Sequence, residues 1–202
     1  MRSSIWLAAA LVLAPFPAHA LLNASSLKLT VYKFAVSTSA DCSSPATVFT
    51  SVAGVEVDMV AGGTFGAGSL DAGTYPCVMI ETSKIVKITP TGGATCVAAF
   101  NDVICNDSGQ TSKLLDGTTT TCSGGISNNQ HVVMYLNTLR TAANCGNNCF
   151  LPPTSATDTT GGIKLTNPFV VTTDAAGTLT ITKGFITDGT PCSTTAPTFA
   201  FQ

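Results

Sequence analysis

Charge is what this 202-residue sequence most lacks: Asp, Glu, Lys and Arg make up 10%, against about 25% in an ordinary soluble domain. Nine basic and eleven acidic residues leave a net charge of −2, and no cluster of Lys or Arg stands out. Nucleic-acid binding leaves a clustered basic footprint, so that class is excluded. Aromatics are sparse at 7%, with Trp6 the single tryptophan. His19 and His131 are the two histidines. Helical periodicity is missing too, since no window carries apolar residues at i, i+3, i+4 and i+7 free of Gly, Pro or Thr clusters. The nearest approach, residues 136–144, gives at most one short helix.

The first twenty residues read as a cleavable export signal. Arg2 is their one charge, an apolar stretch with Leu7, Leu11, Val12 and Leu13 follows, and Ala18-His19-Ala20 forms an A-x-A cleavage site. The stretch is too short, and wrongly flanked, for a membrane anchor, so no span is expected after cleavage. The expected location is therefore secreted, extracellular or cell-surface, with the periplasm as the alternative. Residues 21–202 remain, long enough for a single domain with its own core. Trp6 and His19 leave with the signal, and His131 is then the sole imidazole.

That loss narrows the chemistry. A Ser-His-Asp or Cys-His site would have to be built on His131, and no G-x-S-x-G elbow is present. A zinc hydrolase needs more imidazole or carboxylate ligands than one histidine can anchor. Glycoside hydrolysis would need two carboxylates facing one cleft, and Glu56, Asp58 and Glu81 are the candidates. Glu56 and Asp58 read better as the solvated side of a strand. Asn101, Asp102, Asn106 and Asp107 could offer oxygens to calcium, but the EF-hand spacing is absent. The reading is of no catalytic residue, no metal and no cofactor. Asn23-Ala24-Ser25 and Asn106-Asp107-Ser108 match the glycosylation sequon.

Cysteine is plentiful by contrast. Cys42, Cys77, Cys96, Cys105, Cys122, Cys145, Cys149 and Cys192 all follow the signal, an even set behind an export sequence. That reads as a framework of up to four disulfides whose pairing the spacing leaves open. Cys96, Cys105 and Cys122 are expected to staple one excursion, Cys145 and Cys149 to close a small loop, and Cys192 to hold the C-terminal region. A redox-active Cys145/Cys149 pair is disfavoured, because no neighbouring residue in the sequence supplies a cation for a thiolate.

The remaining pattern is strand after strand. Leu27, Leu29 and Val31 alternate with polar residues, and then Tyr32, Phe34 and Val36 continue on the opposite parity. One face cannot hold both sets, which implies a β-bulge near Val31 and Tyr32 or burial on two sides. Val55, Val57 and Met59 form another alternating face. Cys77-Val78-Met79-Ile80, Ile85-Val86-Lys87-Ile88 and residues 131–136 read as further strands. Residues 169–173 and 178–182 flank Asp174-Ala175-Ala176-Gly177 and read as a hairpin. Strands broken by Gly, Pro, Asn and Ser indicate an all-β fold, a sandwich or a barrel. Residues 92–130 and 144–162 read as polar, cysteine-containing excursions held by disulfides, so reduction is expected to loosen them before the sheets.

Leu70-Asp71-Ala72-Gly73-Thr74-Tyr75 resembles the L-x-A-G-x-Y turn of prealbumin-like β-sandwich domains, a group that includes carboxypeptidase-regulatory-like modules of bacterial secreted and surface proteins. In that reading Gly73 permits a tight turn into the strand, and Tyr75 caps the core edge. The order of parts is similar as well: strand 27–36, a Val-x-Val-Asp strand at 55–58, the Gly-x-Tyr turn, and Pro168-Phe169-x-Val late in the chain. The resemblance implies a single antiparallel Greek-key β-sandwich of seven or eight strands in an extracytoplasmic, usually non-catalytic module, and it carries over no catalytic residue.

Low charge also bears on partners, since charged side chains normally keep sheet edges apart. The tail Thr198, Phe199, Ala200 and Phe201 could add as a strand to its own sheet or to a neighbour's edge. The expectation is a secreted, non-enzymatic structural or adhesive protein of a surface assembly, partnering itself or other surface proteins through sheet edges. A soluble carbohydrate- or peptide-binding module is the alternative, and for sugar the absence of Trp after residue 20 counts against it.

Overall fold

The computed structural model describes residues 21–62, 70–105, 109–123, 125–172, 179–181, 186–194 and 199–201. The signal segment, residues 1–20, lies outside them. In chain order the strands are β1 (Leu21–Leu22), β2 (Ala24–Ser37), β3 (Ala46–Asp58), β4 (Gly73–Tyr75), β5 (Cys77–Pro90), β6 (Phe100–Val103), β7 (Thr111–Lys113) and β8 (Thr119–Thr121). There follow β9 (His131–Asn137), β10 (Ile163–Lys164), β11 (Phe169–Val171), β12 (Leu179–Ile181), β13 (Ile186–Thr187), β14 (Ser193–Thr194) and β15 (Phe199–Phe201). The fold is all-β, and its pairings are antiparallel except for the short β9–β10 contact.

Three long strands carry the main sheet, in the order β10-β9-β5-β2-β3. β5 changes neighbour along its length: residues 77–83 pair with β9 and residues 85–88 with β6. Lys84 is the joint. Its N–H donates to the Gln130 carbonyl and its own carbonyl accepts from Ile104 N–H, both at 2.9 Å. The two apolar runs expected to be separate strands are therefore the two ends of one.

The parity change in β2 is a bulge. Tyr32 has no partner in either ladder, where the register slips between Val31 and Lys33. Leu27, Leu29 and Val31 before it, and Phe34 and Val36 after it, thus reach the same buried cluster. Val78, Ile80, Val86 and Ile88 of β5 join them, with Val132, Met134 and Leu136 of β9. Tyr75, Phe169 and Ile186, from the short strands β4, β11 and β13, belong to the same core and make a second layer, as in a β-sandwich. The opposite face of the main sheet buries a smaller cluster of Ala35, Cys42, Cys77, Met79, Val133 and Tyr135.

Three local expectations need correction. Segments 169–173 and 178–182 do not pair with one another among the described residues: β11 pairs with β4, and β12 with β15. Burial decides this, because Phe169 packs between Phe34 and Tyr75, with ring centroids 6.4 and 6.2 Å away. Residues 136–144 form no helix; β9 runs to Asn137, and the chain then bends around Arg140. Gly73 is not required by the turn, since an added Cβ would meet only ordinary contacts near 3.6 Å. Tyr75 does anchor the turn, donating its hydroxyl to the Asp71 carbonyl at 2.7 Å.

The disulfides are Cys42–Cys77, Cys96–Cys192, Cys105–Cys122 and Cys145–Cys149. The staples are not confined to the excursions. Cys42–Cys77 ties the β2–β3 loop to the start of β5 and belongs to the smaller core. Four such bonds fit an oxidising, extracytoplasmic compartment. Among the described residues no helix is long and apolar enough to cross a membrane.

Candidate functional site

The bulge at Tyr32 turns two consecutive side chains, Tyr32 and Lys33, onto the face that carries the smaller core. There they meet Glu81 of β5 and His131 of β9. Glu81 has a side chain only 4% exposed and takes Lys33 Nζ at 3.1 Å and His131 Nδ1 at 3.3 Å. The lysine and histidine side chains are 28% and 38% exposed. Tyr32 reaches across β5 to stack on the imidazole, with centroids 3.7 Å apart and planes at 19°. Ser83 faces His131 in the β5–β9 register, and its small side chain leaves room for that reach. Its hydroxyl donates to Asn129 Oδ1, and Asn129 Nδ2 donates to the Tyr32 hydroxyl at 3.5 Å.

The cluster has half of a catalytic triad's logic, a buried carboxylate orienting an imidazole. Among the described residues no hydroxyl or thiol nucleophile bonds to that imidazole. Nearby Tyr135 is locked as a neutral phenol: burial, helped by the Glu81 charge, raises its pKa, and its hydroxyl donates to Lys113 O at 2.7 Å.

Three aspartates hold loops. Asp188 accepts the N–H groups of Ala94, Thr95 and Cys96 at 2.7–2.9 Å together with the Thr95 hydroxyl. Asp158 accepts N–H and hydroxyl from both Thr154 and Thr160. Asp41 is held by the Ser39 hydroxyl and Ser43, which bring its pKa down to about 2. Hydrogen bonds from Thr95 and Cys96, and from Thr160 and Thr154, hold Asp188 and Asp158 well below the usual carboxylate range.

Glu56 and Asp58 do not combine with Glu81. Glu56 pairs with Lys87 at 2.5 Å and Lys28 at 3.1 Å. Asp58 accepts from the Ser26 hydroxyl, Leu27 N and Val60 N. Of the calcium candidates, Asn101 lies on β6, and Asp102 accepts from Val103 N and the Thr194 hydroxyl. Asn106 and Asp107 lie outside the described residues. Among those described, no cluster of three or more His, Cys, Asp or Glu could hold a metal.

Phe199, Ala200 and Phe201 pair with β12 of their own chain, while Thr198 is not among the described residues. The sheet edge at β3 is irregular. Val48 and residues 51–54 are extra with respect to β2, and Val52 stands 97% exposed. Such irregularity interrupts the regular ladder that a second strand would need for pairing.

Two residues that carry the excursions escaped the sequence reading. Lys84 is wholly buried, and its amine donates to Ser123 O and to Gln130 Oε1. Burial with no carboxylate in contact pushes its pKa down. Arg140 is buried as well, and its guanidinium donates to the carbonyls of Ala142, Asn144, Thr159 and Thr160. Each excursion therefore folds around a cation as well as a disulfide. Lys84 did give a sign, since it keeps the parity of Ile80, Val86 and Ile88. Arg140, the one arginine after residue 20, gave none. No protein-family model, curated protein or solved structure matches this chain.

Proposed function

We propose that this chain is a secreted, non-enzymatic structural or adhesive protein of a cell-surface or extracellular assembly. The observation that carries this reading is the engagement of its chemistry. The sole imidazole after residue 20 is held by Glu81 and Tyr32, and the aspartates bonded to backbone N–H groups serve as loop staples. Low charge and the exposed Val52 and Val55 of edge strand β3 suit a surface that packs against others. Burial of Tyr32, Tyr75 and Tyr135 counts against the sugar-binding alternative, since none of these tyrosines is free to stack on a sugar.

Size analysis and electron microscopy of the native secreted material test the proposal. Assemblies larger than one chain are expected. A protein that stays monomeric at high concentration, and binds no surface of the cells that export it, sinks the reading.

A further inference from the structure

We infer that Cys145–Cys149 is a thiol-exchange site, open to S-thiolation at Cys149 by a low-molecular-weight thiol. The inference goes beyond the structural role and rests on comparing all four disulfides by two requirements. Exchange needs a sulfur that an incoming thiolate can reach, and a leaving sulfur whose negative charge is tolerated.

Access removes two pairs. Cys42 and Cys77 are both buried, and so are Cys105 and Cys122. Cys149 and Cys192 are the two partly exposed half-cystines, so Cys145–Cys149 and Cys96–Cys192 remain. Electrostatics separates these. Attack on Cys192 would expel Cys96 as a thiolate, and the Cys96 N–H already bonds the Asp188 carboxylate at 2.9 Å. The Cys96 sulfur itself lies against the carbonyls of Thr187 and Gly189, at 3.4 and 3.9 Å, so a thiolate there would face their lone pairs. Attack on Cys149 expels Cys145 instead. The residue before it, Asn144, receives the Arg140 guanidinium on its carbonyl. A cation held at that position favours the thiolate, so the fold supplies what the linear sequence did not reveal.

The step is balanced without a further oxidant. A thiolate RS⁻ attacks Cys149 Sγ, an RS–S bond forms, the Cys149–Cys145 bond breaks, and Cys145 leaves with the electron pair. The turn at 146–148 would loosen with it. That turn links the two excursions through Gln110 Nε2 to Gly146 O at 3.3 Å, and it is tied to the far end of its own excursion by Gly162 N to Asn148 O at 2.9 Å. The main sheet keeps its own clamp at Cys42–Cys77.

The test uses the intact, fully oxidised chain. Limiting reduced glutathione is added at neutral pH, the reaction is quenched with an alkylating agent, and peptides are mapped by mass. The expected first product carries glutathione on Cys149 and the alkyl group on Cys145, with the other six cysteines still paired. Its rate should exceed that of any other pair by about tenfold or more. A first adduct on Cys192 or any other cysteine, or no adduct short of global unfolding, overturns the inference. Arg140→Gln should slow the first step several-fold. An unchanged rate in that variant would refute the role given to the guanidinium.

Discussion

Removing the Glu81 carboxylate should destabilise the fold, because that buried group anchors both Lys33 and His131. Breaking a fully buried ion pair costs about 3–5 kcal/mol, whereas exposed pairs are worth about 0–1. Glu81 is 4% exposed, but its partners Lys33 and His131 are 28% and 38% exposed and can turn to water. Glu81→Ala should therefore lose about 2–3 kcal/mol, an intermediate value. With a urea slope near 2 kcal/mol/M, the midpoint should fall by roughly 1 M at an unchanged slope. The paired replacement Glu81→Leu with Lys33→Met removes both charges, and should return to within about 1 kcal/mol of wild type. Equilibrium unfolding in urea at pH 7, with all four disulfides intact, makes the measurement. A Glu81→Ala variant as stable as wild type, or more so, would refute the reasoning. That outcome marks a carboxylate kept at a cost to stability for a function.

Other outcomes follow from the same contacts. Folded-state pKa values of Asp41, Asp158 and Asp188 lie below the ordinary value, so their stabilisation is complete above about pH 4. It is lost as pH falls through the folded values, with Asp41 titrating near 2, and an acid melt by circular dichroism should show no transition above about pH 3. For Lys84 the sign reverses: its lowered pKa means that stability rises with pH in the interval just below 10.5, a rise that Lys84→Met should abolish in urea melts taken across that range. Gly162 has φ +73°, and an added Cβ would lie 2.3 Å from Tyr135 O, so Gly162→Ala should cost about 2–4 kcal/mol by thermal unfolding. Gly73→Ala, with contacts near 3.6 Å, should stay within about 0.5 kcal/mol of wild type in the same assay.

What could be read in advance followed from local period. The parity flip at Tyr32 pointed to a bulge or to burial on two sides, and the register shift there, with Val31 and Phe34 in one core, makes it a bulge. Strand partners were not legible in this way. Phe169 and Leu179 each suit a hairpin, and only tertiary burial against Tyr75 and Phe34 sends β11 elsewhere. The site was half visible. His131 stood out as the sole imidazole after residue 20, while its carboxylate lies 50 residues away and meets it through the β5–β9 register. Arg140 was invisible because its partners are main-chain carbonyls, which every residue possesses.

The disulfide pattern also fixes how the protein would carry a mechanical load. A covalent path from Leu21 to Phe201 crosses Cys42–Cys77 and Cys96–Cys192, and bypasses residues 43–76 and 97–191. Only about fifty residues could be drawn out, roughly 170 Å of chain against some 600 Å without the bonds. Tension would open β2 from β5 at the Ala24–Pro90 rung and advance toward Cys77, where Cys42 stops it. Stretched between its ends, the molecule is a link of short travel that yields rung by rung and then holds.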